Sequence, residues 1–444
     1  MTKVLIADEM SPDAEATFEA RGIEVEVSTD MDEAELTRRI GAYDGLVVRS
    51  ATKVTAAVIE GASSLKVIGR AGMGVDNIDV NAATARGIVV MNTPYGNSIT
   101  TAEHAIAMMF ALARQIPQAN QSTHAGKWER SRFVGVELMG KTLGIVGCGN
   151  VGSVVADRAQ GLRMKVIAYD PYLSPGRASD LGVEKVDFDT LLGRADFVSL
   201  HAPLTDATRS LVDAQAIAKM KPGARIINCA RGGLIVEADL KSALESGQVA
   251  AAALDVYSAE PPKGNVLLGM ESVVATPHLG ASTTEAQEKV ALQVTEQISD
   301  FLLNGAVVNA LNMPSVSAED APKLVPSMRL AEQLGSFAGQ ITETAIKAIS
   351  IEYGGQAAQL NTSPLTAAVL KGLLTPLLET VNLVSAPVIA RERNIEVTEV
   401  KREHADAFQT QIKLDVTTEA QSRSVAGTLF GAEMPRIVEI RGIP

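Results

Sequence analysis

Gly147, Gly149 and Gly152 stand in the spacing G-x-G-x-x-G, directly after the apolar run Thr142–Val146 and before a helical pattern. The first glycine permits a tight turn, the second lets a backbone approach a pyrophosphate, and the third allows close helix–strand packing. The helix that follows then offers unpaired N–H groups and a positive dipole end to the phosphates. Asp170 lies 18 residues after Gly152, at the end of the next strand pattern. A carboxylate there accepts hydrogen bonds from ribose hydroxyls and repels a 2′-phosphate, which points to NAD rather than NADP. Either signal alone has a structural explanation, a sharp turn or a solvated residue before Pro171; the spacing of the two carries the reading.

Three later segments end in polar residues that packing does not explain. They are Ile227-Asn-Cys-Ala-Arg231-Gly-Gly, Asp255-Val-Tyr-Ser-Ala-Glu260-Pro-Pro and Ala275-Thr-Pro-His278-Leu-Gly-Ala281. Each follows a strand pattern, and in an open α/β sheet the ligand lies beyond the carboxyl ends of the strands. The residue types suit hydride transfer from a secondary alcohol. His278 has a side chain that titrates near neutral pH and can take the hydroxyl proton. Glu260 can orient that ring and favour its charged form, while Arg231 can grip a substrate carboxylate by two parallel bonds. Singly, Arg231 reads equally well as a surface charge at a helix start and His278 as a satisfied loop histidine. Their joint occurrence downstream of the glycine turn is what separates the functional reading from the bland one.

These residues need two βα series to position them. Strand-like runs fall at Val4–Ala7, Val25–Ser28, Leu46–Arg49, Val67–Gly69 and Val89–Met91, with helical patterns at Asp13–Ala20 and Glu33–Ile40 between them. A long helix signal spans Ser98 to Gln115. Six further strands are expected at Thr142–Val146, Lys165–Tyr169, Phe197–Leu200, Arg225–Asn228, Ala251–Asp255 and Val273–Ala275. The helix Thr283–Leu303 would return the chain to the first series. Residues 315–322 read as a linker, and beyond them a helix (Leu324–Gln340) and strands at Ile346–Tyr353, Gln411–Thr417, Ser424–Phe430 and Arg436–Arg441 do not alternate strictly. The expected fold is α/β, with two doubly wound parallel-sheet domains and a C-terminal α+β domain. The domains would be 1–97 with 285–311 (flavodoxin-like, substrate-binding), 98–284 (Rossmann, NAD-binding) and 315–444.

Composition narrows the function classes. Of 444 residues, 46% are hydrophobic, 21% charged and 4% aromatic, so the cores must be built from Ala, Val, Ile and Leu. The net charge of −12 argues against nucleic acid as a partner, since phosphate backbones demand surplus Lys and Arg. A small anionic ligand is compatible with it if arginines cluster locally. The apolar stretch near Ala105 to Ala113 is about half of what a bilayer needs, so no membrane association is expected. Two cysteines, Cys148 and Cys229, make no disulfide framework and no zinc pattern; no metal and a cytoplasmic location are expected.

With these motifs go Gly69-Arg-Ala-Gly-Met-Gly-Val-Asp-Asn-Ile-Asp79, Asn92-Thr-Pro-Tyr-Gly-Asn-Ser98 and Pro277-His-Leu-Gly-Ala-Ser282. Together they resemble the D-isomer-specific 2-hydroxyacid dehydrogenases, in particular the group that acts on D-3-phosphoglycerate. Val381–Ala390 resembles the intervening domain of that group's long bacterial type. The resemblance implies NAD-dependent oxidation of D-3-phosphoglycerate to 3-phosphohydroxypyruvate, the first step of L-serine biosynthesis, with Arg231, Glu260 and His278 catalytic. It implies that Gly72, Met73, Gly74 and Val75 present N–H groups to the substrate carboxylate, with Arg49 and Asn97 nearby. Ala202, Ala230 and Asp255 would line the nicotinamide side, and Asn150, Val151, Cys229 and Gly280 would also meet the cofactor. The segment around Trp128 would reach a neighbouring subunit of a homodimer or homotetramer, with Arg130 or Arg132 near the partner's substrate phosphate.

The sequence departs from the group's pattern in three places. Asn150 stands where many members have arginine beside the pyrophosphate, and Met73 replaces the usual Thr or Val. The chain ends at Pro444, where long members continue into a serine-binding regulatory domain, so that domain is expected to be absent. Two alternatives share the motifs: another D-2-hydroxyacid dehydrogenase or 2-oxoacid reductase, and an NAD-sensing binding protein. A formate dehydrogenase fits less well, because that relative carries glutamine where this chain has Glu260.

Overall fold

Short β-branched runs build the first parallel sheet of this computed structural model, which describes residues 2–316, 319–342, 344–378, 381–403, 408–431 and 433–443. Its strands are β1 (Lys3–Ile6), β2 (Glu24–Val27), β3 (Gly45–Val48), β4 (Val67–Arg70) and β5 (Val89–Asn92), in the order β2-β1-β3-β4-β5. β3 and β5 are buried along their whole length, as a sheet covered on both faces requires. The helix Thr284–Asn304 supplies part of that cover through Val294 and Ile298. Gly69 makes the close approach possible, because a Cβ there would lie 2.4 Å from Ile298 Cδ1.

The second sheet has seven parallel strands, one more than expected. They are β6 (Thr142–Val146), β7 (Lys165–Tyr169), β8 (Glu184–Lys185), β9 (Phe197–Leu200), β10 (Ala224–Asn228), β11 (Val249–Leu254) and β12 (Val273–Ala275). The order β12-β11-β10-β9-β6-β7-β8 reverses direction between β6 and β9, and that switch point is where such sheets bind ligands. The extra strand β8 is two exposed residues at the sheet edge and leaves no apolar signature.

A third sheet is mixed, in the order β14-β13-β15-β16-β17. It comprises β13 (Ile346–Gly355), β14 (Glu396–Arg402), β15 (Thr410–Thr418), β16 (Ser422–Phe430) and β17 (Met434–Ile440). β14 runs parallel to β13 and the other pairs are antiparallel. Helices Ala321–Gln340 and Ser363–Leu374 pack together nearby. The former lays Leu330 and Leu334 over Gly427 of β16.

The chain divides into two units, residues 1–93 with 290–444 and residues 94–289. The C-terminal segment expected to stand apart therefore joins the first sheet's unit. One continuous core explains this, since Val4, Val67, Ile298, Val316, Leu334 and Leu414 belong to the same apolar cluster. The expected linker is partly built in: Val316 is buried and exchanges backbone hydrogen bonds of 2.6 and 2.7 Å with Val307.

The two C-terminal helices meet backbone to backbone. A Cβ at Gly372 would stand 2.1 Å from the Glu332 carbonyl oxygen, and one at Gly335 would stand 2.2 Å from that of Val369. Alanine in a helix interior gains about 1 kcal/mol over glycine. Separating two packed helices costs about 1–3 kcal/mol, and no rotamer relieves a Cβ overlap. The net effect is a loss of up to about 2 kcal/mol, so Gly372→Ala is expected to lower Tm by up to a few degrees in thermal unfolding. A raised Tm would mean that the helices do not approach this closely.

Candidate active site

The turn after β6 has the geometry a phosphate cradle needs. Gly147 holds φ +88°, and a Cβ on it would strike the His201 carbonyl carbon at 2.8 Å. A Cβ on Gly152 would lie 2.1 Å from the Gly147 carbonyl oxygen, whereas Gly149 faces open space. Two of the glycines are thus fixed by protein backbone and the middle one is left clear for a ligand. Helix Asn150–Gly161 starts here, and its first turn bonds from the Ser153 N–H to the Gly149 carbonyl at 3.0 Å. The N–H groups of Asn150, Val151 and Gly152 precede that bond and have no intrahelical acceptor. The Asn150 side chain donates to the Pro94 carbonyl at 3.2 Å.

Asp170 follows β7 and accepts from the Cys148 N–H at 2.9 Å and the Tyr172 N–H at 2.8 Å, one bond to each oxygen. A carboxylate has about four lone-pair sites, so it ties down the glycine turn and keeps acceptor capacity for ribose hydroxyls. Beside it opens a cavity of about 690 Å³ lined by Tyr169, Pro171, Pro175, Lys185 and Thr190 among others. These features fit a bound dinucleotide. Ala202 and Cys229 are buried. Burial, then the Asp255 charge, pushes the Cys229 thiol well above its ordinary value, so it stays protonated. His201 is a half-buried residue whose imidazole is pushed down to about 4 by desolvation, with one nitrogen 2.8 Å from Ser199 Oγ.

Arg231, Glu260 and His278 follow β10, β11 and β12 at the carboxyl edge of one sheet. His278 Nδ1 lies 2.6 Å from Glu260 Oε2, and Glu260 Oε1 accepts from the Tyr257 N–H at 3.1 Å. Burial raises the Glu260 carboxyl, but His278 and the Tyr257 N–H outweigh it and hold the group below the ordinary carboxylate range. Both side chains stay accessible, at 37% and 45% exposure, so a substrate can reach the pair. Asn228 is fully buried and braces the arginine loop, donating to the Arg231 carbonyl at 2.9 Å and accepting from the Ala230 N–H at 3.1 Å. Gly232 lets this loop abut the next, since a Cβ there would lie 1.9 Å from the Tyr257 carbonyl carbon.

Asp255, expected to line the nicotinamide side, is a fully buried carboxylate engaged with the loop of His278. Oδ1 accepts from Thr276 Oγ1 at 2.6 Å and the Leu279 N–H at 2.7 Å, and Oδ2 accepts from the Gly280 N–H at 2.8 Å. The Asp255 carbonyl takes the His278 N–H at 2.9 Å. Burial pushes this carboxyl up, but hydrogen bonds from His104, Thr276 and Leu279 overcome it and hold the group below the usual range. Its contribution to stability is therefore present above the ordinary carboxylate range and is lost as pH falls through the lowered value. Sequence reading gave no sign of the His104, Thr276 and Asn228 roles.

Other expected residues fall as follows. Asn97 is buried, and its side-chain oxygen has no hydrogen-bond partner among the described residues. Arg130 is exposed. Arg132 was expected to be available for a phosphate, but it is held by Glu129 at 3.3 Å and by Glu271. In the other unit, Arg49 is partly exposed and donates to the Glu9 carbonyl at 3.0 Å. The Gly72 N–H, expected to face a substrate, donates to the Arg70 carbonyl at 2.9 Å within its own tight loop. Those of Met73, Gly74 and Val75 have no protein acceptor among the described residues.

Residues 106–280 match the family described as D-isomer specific 2-hydroxyacid dehydrogenase, NAD binding domain. Residues 323–441 match the D-3-phosphoglycerate dehydrogenase intervening domain. The chain is 47% identical to the D-3-phosphoglycerate dehydrogenase of Archaeoglobus fulgidus, over 99% of this chain and 83% of that protein. It is 44% identical to the enzyme of the same name from Bacillus subtilis, over 100% and 84% respectively. A glyoxylate reductase from Paecilomyes thermophila superposes with a TM-score of 0.66 at 31% identity, covering 70% of this chain and 98% of that one.

Asp170 gives a test of the cofactor site. Asp170→Ala removes the charge that repels a 2′-phosphate, so the NADP-to-NAD ratio of kcat/KM is expected to rise at least about tenfold, equivalent to about 1.4 kcal/mol. Because the carboxylate also pins the Cys148 N–H, KM for NAD should rise as well. Equal use of both cofactors by the wild type would remove Asp170 from this role.

Proposed function

Because the chain belongs to the D-isomer-specific 2-hydroxyacid dehydrogenases, and within them to the D-3-phosphoglycerate dehydrogenases, we propose that it oxidises D-3-phosphoglycerate to 3-phosphohydroxypyruvate with NAD, opening L-serine biosynthesis. The observation that carries the chemistry is the accessible His278–Glu260 pair, 2.6 Å apart, beside the loop of Arg231. The glycine turn and Asp170 hold the cofactor, with Ala202, Cys229, Ala230 and Gly280 around its reactive end. Bound NAD supplies the hydride acceptor.

Arg231 grips the substrate carboxylate and fixes the C2 hydroxyl. With Nδ1 committed to Glu260, Nε2 of His278 is the nitrogen left to take the hydroxyl proton as the C2–H bond breaks. Glu260 compensates the positive charge that the ring then carries. In the reverse direction the same nitrogen returns the proton to the carbonyl oxygen. Arg49, Met73, Gly74, Val75 and Asn97 are assigned to the substrate by resemblance.

Oligomer formation belongs to the same reading. Ile99, Ile116, Trp128, Val134 and Met139 are all more than half exposed and fall within one stretch of 41 residues. A dimer or tetramer that covers them accounts for so much apolar surface. A cytoplasmic location suits the two buried, unpaired thiols Cys148 and Cys229.

His278→Ala is expected to lower kcat by roughly 10²–10⁴-fold with little change in NAD affinity. Glu260→Gln should act more mildly and shift the pH profile. The carboxylate favours the protonated pair, so without it the rise of kcat/KM in the oxidative direction should begin at lower pH. Wild-type turnover in His278→Ala would exclude His278 as the base.

Arg130 is the proposed phosphate contact, since Arg132 is already paired with Glu129 and Glu271. Arg130→Ala should raise KM for D-3-phosphoglycerate by about tenfold, the equivalent of one charge-assisted bond, and KM for an unphosphorylated D-2-hydroxy acid far less. Equal effects on both substrates would sink the phosphate assignment.

A further inference from the structure

Helix Ser98–Arg114 carries His104 beside the sheet's carboxyl edge, where the proposed reaction gives it no part. Its Nε2 lies 3.3 Å from Thr276 Oγ1 and 3.3 Å from Asp255 Oδ1. The hydrogens of this cluster can be assigned. Thr276 Oγ1 sits 2.6 Å from Asp255 Oδ1, and an ionised carboxylate only accepts, so the hydroxyl proton points to Asp255. The hydroxyl oxygen then has only lone pairs to offer His104. Nε2 must be the donor, its hydrogen shared between the threonine oxygen and the carboxylate.

We propose that His104 is a positioning residue for hydride transfer, acting through Asp255 on the loop that carries His278. Asp255 is fully buried, and its oxygens hold the N–H groups of Leu279 and Gly280, the two residues after His278. His278 itself has φ +56°, a left-handed conformation that a residue with a Cβ adopts only when its surroundings impose it. The donor from His104 stabilises the carboxylate that imposes it. The neighbouring helix adds one tie to the same loop, from Thr101 Oγ1 to the Gly280 carbonyl at 2.9 Å. The inference rests on the reading of His278 as the base.

A metal ion is the competing explanation, because ligand atoms of His104, Cys229 and Asp255 lie within 4.8 Å of one another. The cluster is not built for one. Three donors already occupy the Asp255 oxygens, and burial keeps the Cys229 thiol protonated. Two other titratable groups lie close to Asp255: Glu260, which is bonded to His278, and Tyr257, whose hydroxyl hydrogen is shared between the backbone carbonyls of Leu254 and Thr276.

The test compares His104→Gln with His104→Met in the full chain. The two replacements are nearly equal in length, and only glutamine can donate a hydrogen bond. Misplacing a catalytic group by a fraction of an ångström costs roughly 10–100-fold in rate. His104→Met is expected to lose about that much kcat while KM for substrate and NADH binding, followed by fluorescence, stay close to wild type. His104→Gln should recover most of the loss. Amide exchange at Leu279 and Gly280 should speed up in His104→Met and not in His104→Gln, a readout that needs no turnover. Equal kcat and equal exchange in the two variants would overturn the proposal. If His104→Met does not fold, His104→Gln decides alone: wild-type Tm with kcat lowered as far as that expected of Met overturns it too. Wild-type protein inert towards every D-2-hydroxy acid would instead defeat the functional reading, and amide exchange would still judge His104.

Discussion

A single buried carboxylate, Asp255, holds the loop on which the proposed chemistry depends. β12 is three residues long and lies at the sheet edge, so the backbone ladder contributes little to the chain that leaves it. Burying a charge costs several kcal/mol unless donors surround it. Here the donors are Thr276, Leu279, Gly280 and His104, and three of the four belong to the segment that must be fixed. The need to satisfy the carboxylate and the need to hold His278 in a left-handed conformation are met by the same bonds. Loss of the charge would therefore be felt first at His278 rather than in the sheet.

The second constraint is distance between backbones. With 4% aromatic residues, the cores rely on small and branched side chains, and elements come close through glycine. Gly147 and Gly152 bring the helix start onto the end of β6, and Gly232 brings the arginine loop against the Glu260 loop. Gly335 and Gly372 do the same for two C-terminal helices. The overlaps that a Cβ would create are alike in size in both settings. Tight glycine contact is thus a general packing device in this chain, and at the cofactor turn it is Gly149, open on its outer side, that distinguishes a binding loop.

Much of the fold was legible because burial was complete or strictly alternating. β3, β5 and β9 are buried at every position and read as unbroken apolar runs, and β15 alternates along all its length. The C-terminal elements that escaped notice lack either pattern. β14 (Glu396–Arg402) has hardly any buried side chain, and its place beside β13 rests on backbone bonds that leave no trace in residue type. Ser363–Leu374 buries nine residues around its circumference, so no polar face marks it as a helix. At the site, motifs located Arg231, Glu260, His278 and Asp170. The bracing by Asn228 and His104, and the capture of Arg132 by Glu271 from 139 residues away, depend on tertiary contacts that no local spacing encodes.

The acidity of the chain looks at odds with an anionic substrate and a dinucleotide cofactor. For the cofactor the proposed reading resolves this, because the glycine turn offers its pyrophosphate neutral groups. At the glycine turn the donors are backbone N–H groups at the start of a 12-residue helix, aligned with its dipole. Such donors carry no titratable charge and need no lysine or arginine, so the surface can remain acidic. Asp170 even places a negative group at this turn, where it fixes the backbone through the Cys148 N–H. Net charge describes the solvated surface, and several of the basic residues there are paired with carboxylates, as Arg132, Arg158 and Arg194 show. The glycine turn follows a different rule, in which the direction of a few N–H bonds counts for more than the sum of charges around them.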